Sequence, residues 1–245
     1  MRAVDLNCDL GEGGRHDAEL MRLVTSANIA CGGHAGTGRT MRAAVELAGR
    51  HGVAIGAHPG FEDRDNFGRT EQVLSGEDIE SLVTRQVRAL AGIARAAGLR
   101  LSHVKPHGGL YNLAARDPRV ADAVARAVRR AGRRLILVGL AGSRLPEAGR
   151  ARGLRVAREA FADRAYLPDG SLVPRGRPGS IILDPGEAAA QALRIVREAR
   201  VRELDGTDVP ISADTICLHG DGPGAVAFAR RLRAALGSLV VRLPR

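Results

Sequence analysis

The stretch Asp5-Leu-Asn-Cys-Asp-Leu-Gly-Glu12 stands where an open dinucleotide-binding sheet would carry a GxGxxG turn after its first strand. No such turn is present. Asp5, Asn7 and Asp9 instead recur at a spacing of two, so they project to one face of a strand, with Glu12 just beyond it. Three polar side chains on an inward strand face are costly to bury unless they bind a ligand or one another.

Working outward, short apolar runs alternate with longer amphipathic ones. The runs 3–8, 26–31, 53–57, 101–105, 135–139, 154–158 and 215–218 read as strands. The segments 17–24, 39–51, 77–97, 118–131, 143–152, 185–200 and 223–236 between or after them read as helices. In 77–97, Ile79, Leu82, Val83, Val87, Leu90 and Ile93 recur at three- and four-residue steps, the period of a buried helical stripe. Pro118 and Pro185 sit where a first helical turn tolerates proline. About seven strand–helix repeats imply an α/β fold with a parallel sheet covered by helices, either open and doubly wound or closed as a (β/α) barrel. A barrel gathers functional side chains at the C-terminal ends of many strands, and that is where this chain carries its chemistry. The expectation is therefore one (β/α)-barrel domain over residues 1–245. Residues 201–212 read as a hairpin turning at Asp205-Gly206, and 239–243 as an eighth strand or an edge addition.

Composition excludes several classes of protein. Hydrophobic residues are 44% and charged residues 26%, as in ordinary globular domains, and no apolar run is long enough to cross a bilayer. There is no apolar stretch of signal-peptide length at the N-terminus, and Cys8, Cys31 and Cys217 lack zinc-site spacing, so a reduced, cytoplasmic protein is expected. The net charge is +10, yet aromatics are 2% and the arginines are spread over helical segments. That pattern argues for solvated helix faces rather than a nucleic-acid surface. Lys105 is the sole lysine among 37 basic residues. Of the eleven Lys, Asn, Tyr and Phe residues, ten fall within 5–12, 25–38, 56–70, 103–112 and 158–175. The rare residue types mark the informative segments.

Those segments follow predicted strands. His34, His58, His107 and His219 each come just after a different strand, beside glycine or proline. His16 and His51 read as surface residues, while His103 lies mid-strand and has no clear assignment. Histidines with Asp5 and Asp9 can hold a divalent metal, or serve as general acid and base. Lys105 and Arg69 can neutralise a carboxylate or phosphoryl group. The run 220–224 opens a helix whose N-terminus favours an anion, although a bare tight turn explains it equally well. The long polar segment 159–180 reads as a lid or binding loop. P-loop, GxSxG and HExxH patterns are all absent.

Together the strings DLNCDLGE (5–12), SANIACGGHAG (26–36), GAHPGF (56–61), NFGR (66–69), VKPHGGLYN (104–112), EAFADRAYLPDGSLVPR (159–175), RPGSIILDP (177–185) and ICLHGDGPGAV (216–226) resemble the LamB/YcsF family. Members of that family serve as the A subunit of bacterial ATP-dependent 5-oxoprolinase. The resemblance departs at Thr37-Gly38, where the family has an acidic residue, and at a shortened Gly13-Gly14-Arg15. It implies a seven-stranded barrel of the glycoside hydrolase/deacetylase-like class. It further implies cleavage of 5-oxo-L-proline to L-glutamate with ATP as co-substrate, Mg²⁺, and the B and C subunits as partners, with neither nucleic acid nor membrane involved. On this reading Asp5, Asp9, His58, Lys105 and His107 are the candidate catalytic residues. Asn7, Glu12, Asn28, His34, Arg69, Tyr111, Asn112, Arg175, His219 and Asp221 are candidates for binding substrate or phosphate. Two other readings stay open. One is a stand-alone metal-dependent amidohydrolase or deacetylase with Asp5, Asp9, His58 and His107 as ligands. The other is a non-catalytic lactam-binding subunit.

Overall fold

The computed structural model describes residues 3–218, 224–241 and 243. Seven parallel strands close into a barrel: β1 (Asp5–Leu10), β2 (Ser26–Ala30), β3 (Ala54–His58), β4 (Leu101–Val104), β5 (Ile136–Leu140), β6 (Arg155–Phe161) and β9 (Thr215–Leu218). Their order around the barrel follows the chain, and β9 closes it between β6 and β1. The hairpin expected over 201–212 is present as β7 (Arg200–Arg202) paired antiparallel with β8 (Asp208–Pro210). Seven strands close the barrel, so among the described residues of 239–243 there is no eighth barrel strand; of the two expectations an edge addition fits better, Val240 making an isolated parallel bridge to Val4.

The helices are α1 (Asp17–Leu20), α2 (Gly38–His51), α3 (Gly76–Ala96), α4 (Gly108–Arg116), α5 (Pro118–Ala131), α6 (Arg144–Ala151), α7 (Pro185–Glu198) and α8 (Ala225–Leu236). Their starts follow local chemistry. Asp117 and Asp184 cap α5 and α7 immediately before Pro118 and Pro185. Thr37 caps α2 through a reciprocal bond with Thr40. The α3 stripe is buried at Ile79, Leu82, Val83, Val87 and Leu90, each such side chain contributing about 1.5–3 kcal/mol. None of the described helices is long and apolar enough to cross a membrane. All three cysteines are free and buried.

Three elements depart from the sequence expectation; α1 is one turn, Asp17–Leu20, where a helix over 17–24 is expected. Helix α4 forms over a segment to which the sequence assigns no helix. Gly108 (φ +49°) lets the chain enter the helix against the 61–70 loop, since a Cβ there would lie 2.6 Å from the Gly68 carbonyl oxygen. Strand β6 also continues through Phe161, three residues beyond the expected end.

The barrel interior is divided by polarity. Ile136, Val138, Ala157 and Leu243 form a small apolar cluster of their own. Above the N-terminal ends of the strands, a connected polar network replaces the branched apolar layers common in such barrels. It leads to a cavity at the C-terminal ends.

Candidate active site

The network begins at Asp5, whose carboxylate accepts hydrogen bonds from the hydroxyls of Thr25 (2.7 Å), Ser26 (2.7 Å) and Thr215 (2.6 Å). One level up, Asn7 donates to Thr215 Oγ1 (2.7 Å) and Glu159 Oε1 (3.0 Å). Asn28 donates to Asn7 Oδ1 (2.7 Å) and Asp9 Oδ1 (2.8 Å) and accepts from His103 Nε2 (2.8 Å). Burial first, then Lys105 nearby, lowers the pKa of His103 to about 3, so its ring is neutral. Gly56 makes room for that ring: a Cβ there would lie 2.0 Å from His103 Nε2.

Lys105 forms the floor of the cavity. Its buried ammonium lies 2.9 Å from Asp9 Oδ1 and 3.0 Å from Glu159 Oε1, with Cys217 Sγ at 3.0 Å and Asn7 Oδ1 at 3.4 Å. Burial alone would lower its pKa, but Asp9, then the Cys217 contact and Glu159, outweigh that, and the group stays charged above the ordinary lysine range. Burial pushes the Cys217 thiol up, so it faces the ammonium uncharged. The ring of Phe161 lies 5.4 Å from Nζ.

Three histidines gather beside Asp9. His58 Nδ1–H donates to the Lys105 carbonyl (2.7 Å), and His107 Nε2–H donates to the Phe67 carbonyl (2.8 Å). Phe67 adopts φ +56°, an uncommon conformation for a bulky residue, and this presents its carbonyl to His107. His58 Nε2 then faces His107 Nδ1 at 3.0 Å and Asp9 Oδ2 at 3.3 Å. His34 stacks on His107 with ring centroids 3.6 Å apart and donates from Nε2 to Glu12 Oε1 at 3.0 Å. Burial disfavours charge on all three rings. For His58, Asp9 outweighs it and the pKa rises; His107 falls well below the ordinary value, and His34 falls too.

The cavity above this floor has a volume of about 620 Å³. Asp9, Glu12, His58, Lys105, His107, Arg69, Tyr111, Asn112 and Arg175 line it. The sequence-predicted set is therefore largely brought together, with three qualifications. Asp5 lies about 13 Å down β1 from Asp9; the expectation that it joins the mouth is corrected, because four residues along a strand preserve the face but not the level. Asn7, Asn28 and His34 stand behind the lining and hold those that form it. His219 and Asp221 lie outside the described residues.

Four participants are given no individual role by the sequence, although Glu159, Phe161 and Arg164 lie in the segment read as a lid or binding loop. Glu159 and Phe161 occupy alternate inward positions of β6, whereas a strand ending at 158 leaves them in a loop. Cys217 carries no spacing signal beyond that of a thiol. Arg164 is buried and lines the cavity, donating to the carbonyls of Ser180 (3.2 Å) and Val173. Burial, then Arg175, lowers its pKa to about 10. The 169–175 part of the long segment also lines the cavity.

A family model for the LamB/YcsF family matches residues 4–244. The chain belongs to the LamB/YcsF family. This LamB/YcsF chain is similar to the A subunit of 5-oxoprolinase from Methylococcus capsulatus (strain Bath), at 56% identity over 242 residues, which are 97% of this chain and 93% of the relative. The crystal structure of the lactam utilization protein from Thermus thermophilus superposes with a TM-score of 0.92 at 49% identity, covering 99% of both chains. The barrel and the arrangement of its strands are thus a LamB/YcsF architecture.

Proposed function

We propose that this chain is the A subunit of a multi-subunit, ATP-dependent 5-oxoprolinase that opens 5-oxo-L-proline to L-glutamate. The observation that carries the reading is the buried Lys105 ammonium held between Asp9 and Glu159, beneath a cavity walled by Arg69, Arg164 and Arg175. Such a cavity suits an anionic ring compound and a phosphoryl group. The relatives named for 5-oxoprolinase and lactam utilization support it.

A five-membered lactam is unreactive toward water. Phosphorylation of its amide oxygen by ATP makes the ring carbon electrophilic. Water then adds, the ring nitrogen departs, and hydrolysis of the resulting acyl phosphate releases glutamate and phosphate. In this scheme the guanidinium groups hold the substrate carboxylate and the phosphoryl oxygens. Lys105 stabilises charge developing at the amide oxygen. Asp9 and His58, 3.3 Å apart, take the proton from water, and His107 orients His58. Mg²⁺ accompanies ATP as counter-charge.

ADP and glutamate release from 5-oxoproline, measured for this chain alone and then with B and C subunits added, tests the proposal. Turnover that needs both ATP and the partners is expected. ATP-independent hydrolysis by the chain alone would instead establish the amidohydrolase reading. Binding of 5-oxoproline, with complex activity unaffected by changes at His58 and His107, would establish a capture subunit.

A further inference from the structure

We propose that His58 Nε2, His107 Nδ1 and the Glu12 carboxylate form a binding site for one divalent transition-metal ion, with its fourth coordination position open to the cavity. Backbone carbonyls accept but never donate. The Lys105 carbonyl therefore holds a proton on His58 Nδ1, and the Phe67 carbonyl holds one on His107 Nε2. With both rings neutral, two nitrogen lone pairs face each other at 3.0 Å. That arrangement is repulsive unless a proton or a metal ion lies between them. Ring N–H groups anchored on carbonyls, with the remaining nitrogens converging, are the outer-shell pattern of metal-binding histidines. Two nitrogens at about 2.0–2.1 Å from a tetrahedral ion stand roughly 3.3 Å apart, a few tenths of an ångström from the separation seen here.

Glu12 supplies the third ligand. Its Oε1 lies 3.6 Å from His107 Nδ1 and 4.0 Å from His58 Nε2, and the ligand atoms of Glu12, His34, His58 and His107 all fall within 4.8 Å of one another. Glu12, His58 and His107 line the cavity, whereas His34 stands behind and donates to Glu12 Oε1. His34 is accordingly a positioning residue, aiming the carboxylate and bracing His107 by stacking. Asp9 Oδ2, 3.3 Å from His58 Nε2, adds a second carboxylate beside the cluster. Two nitrogens and one carboxylate favour zinc, cobalt or a similar ion over magnesium or calcium. The ligand set differs from one containing Asp5, which lies at the other end of β1. An ion here would polarise a carbonyl oxygen or water at its open position, leaving Asp9 rather than His58 to take the proton.

The inference is independent of ATP-dependent turnover, because metal content is read without substrate. Untagged full-length protein is purified without chelator, its metals are quantified by mass spectrometry, and metal-stripped protein is titrated with Co²⁺ while visible absorption is followed. About one equivalent per chain and saturable ligand-field bands are expected. Glu12→Gln is expected to weaken Co²⁺ binding about tenfold or more, and His58→Ala and His107→Ala to abolish it, while His51→Ala, at the exposed end of α2, leaves it unchanged. Wild-type protein holding less than about 0.1 equivalent and giving no saturable Co²⁺ signal overturns the site and leaves a proton shared by the two rings. Binding that survives Glu12→Gln undiminished overturns the ligand set, even if the histidine variants fail to fold.

Discussion

His58 Nε2 and His107 Nδ1 lie 3.0 Å apart, on rings whose other nitrogens are each tied to a backbone carbonyl. Whatever occupies the space beside them, the pair acts as one unit, and Asp9 is its nearest charge.

Asp9→Asn is therefore expected to lower the pKa of His58, because Asp9 is the main influence raising it against burial. NMR titration of the His58 ring in metal-stripped protein measures this. An unchanged or higher value in the variant would show that Asp9 does not govern the pair. In the wild type, a raised folded-state value means that His58 stabilises the fold fully below the unfolded pKa of about 6.5, and that this contribution is lost as pH rises through the folded value.

Lys105→Met leaves Asp9 and Glu159 buried without their cation. Removal of one partner of a buried ion pair costs about 3–5 kcal/mol, readable as a shift in the urea midpoint. Loss of a preorganised charge aimed at the reacting oxygen is expected to cost about 100-fold or more in kcat of the reconstituted complex. Full activity in a folded Lys105→Met protein would remove the ammonium from the mechanism. Glu159→Gln keeps the shape and one acceptor for Asn7, so it separates the charge from the fold.

Acid sensitivity should centre on the neutral histidines. His103 has a folded value of about 3, against about 6.5 unfolded. The unfolded chain therefore binds a proton that the native state refuses, and stability falls as pH drops from about 6.5 toward 3, by several kcal/mol at most. His34 and His107 are shifted in the same direction and add to the loss. Urea titrations at pH 7, 6 and 5 measure it; stability that holds level across that range would contradict neutral burial of these rings.

Asp5→Asn should separate structure from catalysis. It disturbs an acceptor of three hydroxyl hydrogen bonds and is expected to cost about 1–3 kcal/mol of stability. Since Asp5 lines no part of the cavity, kcat/KM of the complex should be unchanged. A fall of about tenfold or more, 1.4 kcal/mol in the barrier, would place Asp5 back in the chemistry.

Much of the molecule is legible in the sequence. Strand boundaries are legible to within one to three residues, because alternation and apolar runs report locally on burial. Histidines after the second, third and fourth strands, with the lone lysine, mark the mouth, because a closed barrel brings successive strand ends together. The misses are also local in origin. Helix α4 is missed because its start, at Gly108, is set by packing against the 61–70 loop, where a side chain beside Gly68 would clash. Glu159 follows an apolar run that could end anywhere from Arg158 to Phe161, and its pairing opposite Leu140 on β5 and Thr215 on β9 carries the strand onward.

The amino-acid sequence by itself determined the order of elements, their caps, the inward face of each strand and the family to which the chain belongs, because these depend on near neighbours, side-chain period and chain-wide likeness. Tertiary structure alone decided the level of each inward residue. It separated Asp5 from Asp9, joined Lys105 to Glu159 across the barrel, and turned the facing nitrogens of His58 and His107 toward each other. Those facts depend on strand stagger and on which distant carbonyl meets which ring, and neither is encoded in local spacing.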